Sequence, residues 1–158
     1  MLRERCYGIF DLRPHKEFLE AAKQSGFEYA YNFIPEGGEG LSDVKKRASK
    51  FLEFVFESTN NNSVHSTKTC NILIVSHSGF LRQIGIYFLH DCKCTFPEGF
   101  EFPDGYNFEN VLEKAWKNTA ISRFEVEVDE RRTPISVECT QYANFKHLEN
   151  VSINKCDN

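Results

Sequence analysis

Two short segments of the sequence carry side chains whose types and spacing suit acid–base or anion chemistry. In the first, Glu4 lies between Arg3 and Arg5, and Tyr7 follows closely. A carboxyl group among guanidinium groups is suited to act as a general acid on an anionic substrate, because the cations would hold the anion nearby. The alternative is a solvated cluster of charges, and residues 2–8 taken alone favour that alternative.

The second segment is the run I-L-I-V-S-H-S-G-F-L-R at residues 72–82. Its β-branched start predicts a strand over residues 71–75 that is buried on both faces, and the apolar spacing after Gly79 predicts a helix. Open α/β sheets bind ligands where their strands end, and the N-terminus of a helix favours a phosphate group. His77 would then contact an anion, or it would merely cap the turn. This segment alone leaves both interpretations open.

The remaining periodicity predicts the elements that must position these two segments. A short helix is predicted over residues 16–24, and a longer one after Ser42, interpreted as its N-cap residue with Asp43 in the first turn. Alternation over residues 120–128 and 135–139 predicts a hairpin at the edge of a sheet. The other predictions are a polar linker with a solvated His65 (58–69), a long loop (95–117) and a tail from residue 141 docked by Phe145 and Leu148. With no internal repeat, we predict one domain over residues 1–150 and a free tail over residues 151–158.

Composition narrows the classes of partner. The net charge of −4 and the lack of a basic stripe argue against a nucleic-acid partner. No apolar run approaches the ~20 residues of a membrane span, and the first residues lack the apolar region of a secretory signal. The six Cys are therefore interpreted as free thiols in a reducing compartment, which predicts a cytoplasmic location. Residues 90–94 hold one His and two Cys but no second ligand pair at zinc spacing, so no metal site is expected.

Four motifs, taken in order along the chain, resemble those of the histidine phosphatase superfamily. They are L-R-E-R-x-Y-G (2–8), a G-G-E loop (37–39), D-x-x-x-R on a helix (43–47) and V-S-H-S-G-x-x-R (75–82). Within the superfamily the chain is most similar to the TIGAR-type fructose-2,6-bisphosphatases, and the resemblance runs from Leu2 to about residue 150. It implies an α/β fold of the phosphoglycerate-mutase-like type, a three-layer α/β/α sandwich around a mixed, mostly parallel sheet.

The resemblance also implies roles for individual residues. Glu4 matches the proton donor, and His77 matches the second histidine, which binds the transferring phosphoryl group and stabilises its charge. The substrate-binding positions implied in the same way are Arg5, Tyr7 and, through their backbone N–H groups, Ser78 and Gly79. Glu39 falls in the family's G-E-S loop, but Gly40 stands where Ser is usual, so shaping the pocket rim is the simpler role for this loop.

The nucleophile of the family is missing from this sequence. Family members begin with a strand ending in Arg-His-Gly, whose histidine attacks phosphorus; no such motif occurs here, and Arg13-Pro14-His15 does not fit it. Because the chain begins one residue before L-R-E-R, we expect a fragment, a short isoform or a gene model begun at an internal Met. The sandwich would then lack its first strand and expose apolar faces. Because the attacking histidine is missing, the chain is expected to be inactive. The other histidines (His15, His65, His90 and His147) are interpreted as surface or structural groups.

The activity implied by the resemblance is that of a sugar-phosphate phosphatase, with fructose 2,6-bisphosphate as the favoured substrate. Hydrolysis of its 2-phosphate would proceed through a phosphohistidine intermediate, and no metal or organic cofactor is implied. Two alternatives stay open: a phosphoglycerate-mutase-like or broad acid phosphatase and, from another class, a catalytically inactive binding or regulatory short form.

Overall fold

The computed structural model describes residues 1–59, 69–103, 105–107, 110 and 116–148. The chain divides into two compact units, Met1–Tyr87 and Phe88–Asn158. Each unit is described by itself. The predicted solvated His65 and the predicted free tail over residues 151–158 lie outside the described residues.

The first unit is helical. Its helices are α1 (His15–Gln24), α2 (Leu41–Ser58) and α3 (Ser78–Ile86), with short 3₁₀ turns at Gly8–Phe10 and Ala30–Asn32. A π-helical turn, Tyr87–Asp91, follows α3 in the sequence, and all of it after Tyr87 belongs to the second unit. The three helices predicted from the sequence are therefore confirmed.

The start of α2 corrects one prediction. The N-cap residue is Gly40 rather than Ser42, which lies inside the helix. The reason is the Asp43 carboxylate, which accepts a hydrogen bond of 2.9 Å from the Gly40 N–H. A carboxylate in the first turn that reaches back to the cap satisfies one of the free donors and complements the helix dipole.

The core of the first unit forms between α2 and α3. Phe51 on α2 and Phe80 on α3 meet edge to face with ring centroids 6.0 Å apart. The buried apolar side chains of the two helices are Val44, Ala48, Phe51, Leu52, Phe56, Phe80 and Ile84. Burial of this helically spaced stripe fixes α3, and with it the turn that precedes α3, against α2.

The predicted buried strand at residues 71–75 is not observed. Among the described residues, this segment pairs with no other strand, and the side chains of Leu73 and Val75 are 89% and 73% exposed. A β-branched run shows that a segment fits a covered sheet, but the ladder itself requires a neighbouring strand. The described residues supply no neighbour, so the segment forms no strand and most of its side chains are exposed.

The second unit contains an antiparallel hairpin of β1 (Ile121–Val128) and β2 (Pro134–Asn144). The predicted hairpin is thus confirmed, although β2 runs on to Asn144, where the sequence had suggested the beginning of a tail. The loop after the π-helical turn joins this sheet by one parallel bridge. There the Thr95 N–H donates to the Val137 carbonyl and the Cys139 N–H donates to the Thr95 carbonyl, both at 2.9 Å.

An aromatic cluster fills the second unit beside β2. Trp116, the one tryptophan of the sequence, is 7% exposed, and its indole Nε1–H donates to the Tyr142 hydroxyl at 3.2 Å. Phe102 and Tyr106 meet the Tyr142 ring edge to face. The cluster explains why β2 continues past Cys139, since Tyr142 is 1% exposed and anchors this end of the strand.

Candidate active site

The carboxylate of Glu4 lies against the first turn of α3. Its Oε1 accepts a hydrogen bond of 2.8 Å from the Arg5 N–H, and its Oε2 accepts one of 3.4 Å from the Gly79 N–H. The structure therefore brings the predicted acid to the N-terminus of the helix that follows His77. The free N–H groups and positive dipole end of that helix make this a favourable place for negative charge.

Gly79 permits this approach because it has no side chain. A Cβ atom at this position would lie 2.4 Å from Glu4 Oε1, well inside van der Waals contact. Residue 79 therefore has to be glycine for the carboxylate to sit where it does.

His77 occupies the N-cap position of α3 with an extended backbone (φ −98°, ψ 154°), and its side chain makes no capping hydrogen bond. The imidazole is exposed. Its backbone carbonyl accepts the first helical bond, from the Leu81 N–H at 2.9 Å. The turn-capping interpretation of the side chain is therefore wrong, and the imidazole is available to an incoming group beside the helix N-terminus. Ser78, the first residue of α3, is half-buried next to it.

Arg5 is buried, with 6% of its surface exposed. Its Nε donates to the Glu39 carbonyl at 2.6 Å, one terminal nitrogen donates to the Tyr31 carbonyl at 2.7 Å, and the other donates to the Phe33 carbonyl. Burial lowers the pKa of the guanidinium from its usual value. The predicted contact of Arg5 with substrate stays a prediction, and it would require one of these three bonds to be shared or broken.

Tyr7 is half-buried beside the acid. Burial, followed by the negative charge of Glu4, raises the pKa of the Tyr7 phenol above its usual value. The ring packs edge to face on Phe18 at 4.8 Å between centroids, and the Arg5 guanidinium lies 5.5 Å from the ring centroid. The phenol is therefore held as a neutral hydrogen-bonding group at neutral pH.

The sequence did not predict the pairing of Glu39 with Arg47. The Arg47 guanidinium donates to both Glu39 carboxylate oxygens, at 3.1 Å and 3.0 Å. Burial alone would raise the pKa of Glu39, but the hydrogen bonds from Arg47 and from the Cys6 N–H outweigh it and hold the pKa below its usual value. A signal was present in the sequence, because Arg47 follows Val44 at helical spacing and so falls on the apolar face of α2.

The histidines outside the two motifs are surface groups where they are described. His15, His90 and His147 are all exposed, which confirms that part of the prediction. Within the described ranges, no group of three or more His, Cys, Asp or Glu side chains is placed to hold a metal ion. No helix in the described part of the chain is both long enough and apolar enough to cross a membrane.

Comparison with known proteins places these residues in a family. The family model described as the histidine phosphatase superfamily (branch 1) matches residues 1–107. The fructose-2,6-bisphosphatase TIGAR of Mus musculus is 28% identical over 188 residues, which covers 96% of this chain and 66% of the mouse protein. The protein of the same name from Bos taurus is 31% identical, over 61% of this chain and 49% of its own length. TIGAR B of Danio rerio is 26% identical, over 96% of this chain and 65% of its own length.

The chain thus spans less than two thirds of the length of each of these curated relatives. The family match, in contrast, covers more than half of the chain and contains Glu4, the Glu39 loop and the whole segment around His77. The chain therefore belongs to the histidine phosphatase superfamily, branch 1, a family with an α/β fold.

Proposed function

We propose that this chain carries the acid and phosphate-binding parts of a sugar-phosphate phosphatase, specifically a fructose-2,6-bisphosphate 2-phosphatase. The observation that carries the proposal is the hydrogen bond from the Gly79 N–H to the Glu4 carboxylate, at the helix N-terminus where the His77 side chain makes no capping bond. Membership of the family and the printed activity of the relatives support the same reaction and substrate.

The geometry suits a two-step transfer of a phosphoryl group. In the first step a histidine nitrogen bonds to phosphorus and the bond from phosphorus to the sugar oxygen breaks. The imidazole of His77 and the free N–H groups of Ser78 and Gly79 would stabilise the phosphoryl oxygens. Glu4 would give its proton to the leaving sugar alkoxide. In the second step Glu4 takes a proton from water, which attacks phosphorus and releases phosphate and the free histidine.

The remaining predicted contacts fit around this centre. The neutral Tyr7 phenol would donate a hydrogen bond to substrate, and Arg5 would contribute positive charge from its buried position. Both groups lie close enough to Glu4 for its negative charge to act on their pKa, in each case in the direction that raises it.

The attacking histidine is not supplied by these residues, since the sequence contains no Arg-His-Gly. We propose that the chain alone is inactive and that its full fold is a three-layer α/β/α sandwich, here without its first strand. The segment at residues 71–75 supports this. Its β-branched sequence suits a strand inside a sheet, yet Ile72, Leu73 and Val75 are exposed and the described residues supply no partner strand. A cytoplasmic location is part of the proposal, supported by four described cysteines, Cys6, Cys70, Cys94 and Cys139, which are free thiols.

A second candidate function is a catalytically inactive binding or regulatory protein, and the missing Arg-His-Gly favours it. Such a protein would keep the anion site at α3 and bind phosphorylated sugars without hydrolysing them. The phosphoglycerate-mutase-like alternative has no observation in its favour.

The deciding experiment compares phosphate release by this chain with release by a completed enzyme, meaning this chain preceded by an in-frame segment that carries Arg-His-Gly. We expect turnover of fructose 2,6-bisphosphate by the completed enzyme and none above background by this chain. In the completed enzyme, Glu4→Gln should slow hydrolysis of the sugar phosphate by about 10²–10⁴-fold and that of an activated aryl phosphate much less.

The opposite results would reject the proposal. Phosphohistidine formed on this chain alone, with turnover lost on mutating one of its five His, would show that the nucleophile has been misassigned. Binding of the sugar phosphate with no turnover by the completed enzyme would favour the regulatory alternative.

A further inference from the structure

One pair of side chains, Glu39 and Arg47, makes several of the contacts that hold the segment carrying Glu4, and this pair is here called the Glu39–Arg47 clamp. Besides the two bonds from Arg47, the Glu39 carboxylate accepts a hydrogen bond of 3.0 Å from the Arg3 guanidinium and one of 2.9 Å from the Cys6 N–H. Its contacts therefore lie on both sides of Glu4 in the sequence.

Arg47 holds the same segment by its backbone. One terminal nitrogen of its guanidinium donates to the Met1 carbonyl at 2.7 Å and to the Arg3 carbonyl at 2.9 Å. The other lies 3.4 Å from the carbonyl of Glu4 itself. A planar guanidinium with fixed donor directions suits this arrangement, because it can bind a carboxylate and neighbouring carbonyls at once.

The clamp also contacts α3, the helix whose N-terminus receives the Glu4 carboxylate. The Arg47 guanidinium lies 4.9 Å from the ring centroid of Phe80, which is fully buried and follows Gly79 in α3. Arg47 thus contacts both elements that meet at the Glu4 carboxylate: the segment that bears the acid and the helix whose N-terminus receives it.

Neither member of the clamp has capacity left for substrate. The side chains of Arg47 and Glu39 are 14% and 16% exposed. Each Glu39 oxygen already accepts two hydrogen bonds, and all three Arg47 nitrogens donate to protein acceptors. This is a different role from the pocket rim suggested for Glu39 by its sequence position.

We propose that Glu39 and Arg47 are positioning residues, which fix the Glu4 carboxylate against the first turn of α3 and so set its reach to the leaving group. The proposal rests on the proposed function for its catalytic consequence. The structural part concerns the contact between Glu4 and Gly79, which can be measured without turnover.

The structural test uses NMR on the 158-residue chain. Glu4→Gln replaces the charged acceptor of the Gly79 N–H, so it should shift the Gly79 amide resonance. In an Arg47→Met background the same Glu4→Gln change should no longer shift that resonance, because the carboxylate has left the amide. Lys50→Met, which removes an exposed cation one turn further along α2, is the matched control and should leave the response intact.

The kinetic test uses the completed enzyme. Because a small misplacement of a catalytic group can cost about 10²-fold, Arg47→Met should reduce kcat on the sugar phosphate by about that factor and affect an activated aryl phosphate much less. Added to Glu4→Gln, Arg47→Met should cause little further loss, since both changes remove the same proton transfer. If Arg47→Met does not fold, Arg47→Lys and Glu39→Gln take its place in both tests.

Two results would overturn the proposal. One is an undiminished Gly79 response to Glu4→Gln in the clamp variants. The other is an equal loss on both substrates that adds in full to that of Glu4→Gln, which would mean that the clamp stabilises the fold without positioning the acid. A completed enzyme with no turnover would reject the proposed function, and the NMR response would still decide whether the clamp places Glu4.

Discussion

The two arms of the candidate site, both in the first unit, are held in very different ways. The acid arm, Met1–Cys6, is fixed by the Glu39–Arg47 clamp and by the three carbonyl bonds of Arg5. The histidine arm, residues 70–77, has one side-chain tether among the described residues, from the Ser76 hydroxyl to the Leu2 carbonyl at 2.6 Å. The side chains of Ile72, Leu73 and Val75 are exposed, and that of Ile74 is half-buried.

This difference shows which kinds of order a short stretch of chain can provide for itself. The acid arm is fixed by side chains that reach across from residues 39 and 47, and those partners lie in the same unit. The histidine arm has the sequence of a strand, and a strand gains its order from a neighbour through backbone hydrogen bonds. One half of the site is therefore held by its own side-chain contacts, and the other half has little such support among the described residues.

The sharpest test of the contrast is His77→Ala in the completed enzyme. Loss of one donor to a developing oxyanion should lower kcat by about 10²–10³-fold. Thermal stability should hardly change, because the imidazole is exposed and makes no capping bond. Enzyme assays, vanadate inhibition and thermal unfolding measure the two effects separately. A variant that melts early yet keeps its rate and its vanadate sensitivity would show that His77 supports the turn only.

The second test moves the acid without removing it. In Gly79→Ala the new Cβ would lie 2.4 Å from Glu4 Oε1, so the carboxylate must withdraw from the helix N-terminus. In the completed enzyme, we expect Gly79→Ala to lower kcat on a sugar phosphate by up to about 10²-fold and kcat on an aryl phosphate by less. Unchanged kinetics on both substrates would mean that Glu4 does not act from this position.

The third test compares the arms by stability. Arg5→Met leaves three backbone carbonyls without their donor, and it should lower the free energy of unfolding by about 3 kcal/mol. Leu73→Ser, on the 89% exposed side chain of the histidine arm, should change it by less than about 0.5 kcal/mol. Urea unfolding of the 158-residue chain measures both. A large loss for Leu73→Ser would mean that the histidine arm is covered in solution.

The smallest expected effect is a pH dependence confined to the acid arm. The pKa of Glu39 is lowered in the folded chain, so its contribution to stability is complete above the usual carboxyl value of 4.5 and is lost as pH falls through the lower folded value. The thermal stability of the chain should therefore fall on acidification. Glu39→Gln should make the dependence of stability on pH less steep. Identical slopes in the two proteins would contradict the hydrogen bonds assigned to Glu39.

Most of the helical framework was predictable because periodicity reports it directly. The stripe from Val44 to Phe56 predicted α2, and alternation from Ala120 predicted the hairpin. The strand at residues 71–75 was predicted wrongly, since a local pattern says what a segment is suited for and not what lies beside it. The N-cap of α2 was misplaced for a similar reason, because any of several small or polar residues satisfies the pattern.

The site was predictable in its parts but not in its support. Glu4, His77 and Gly79 were named from motifs, and the structure adds the close approach of the Glu4 carboxylate to Gly79. The partnership of Glu39 with Arg47 depends on which way the loop before α2 turns, and no local spacing reports that. The burial of Arg5 was also hidden, because a charged residue in a charged segment is typical of a solvated surface.

The bond from Trp116 to Tyr142 has a spectroscopic consequence. Trp116 is the one tryptophan of the sequence and is buried in the second unit. Its fluorescence, excited selectively, therefore reports the aromatic surroundings of that unit. Far-UV circular dichroism, in contrast, reports helices, and the α-helices of the described residues, α1, α2 and α3, all belong to the first unit. The two signals therefore weight the two units differently. Two unfolding curves that coincide would reveal one cooperative transition, and curves that separate would reveal two.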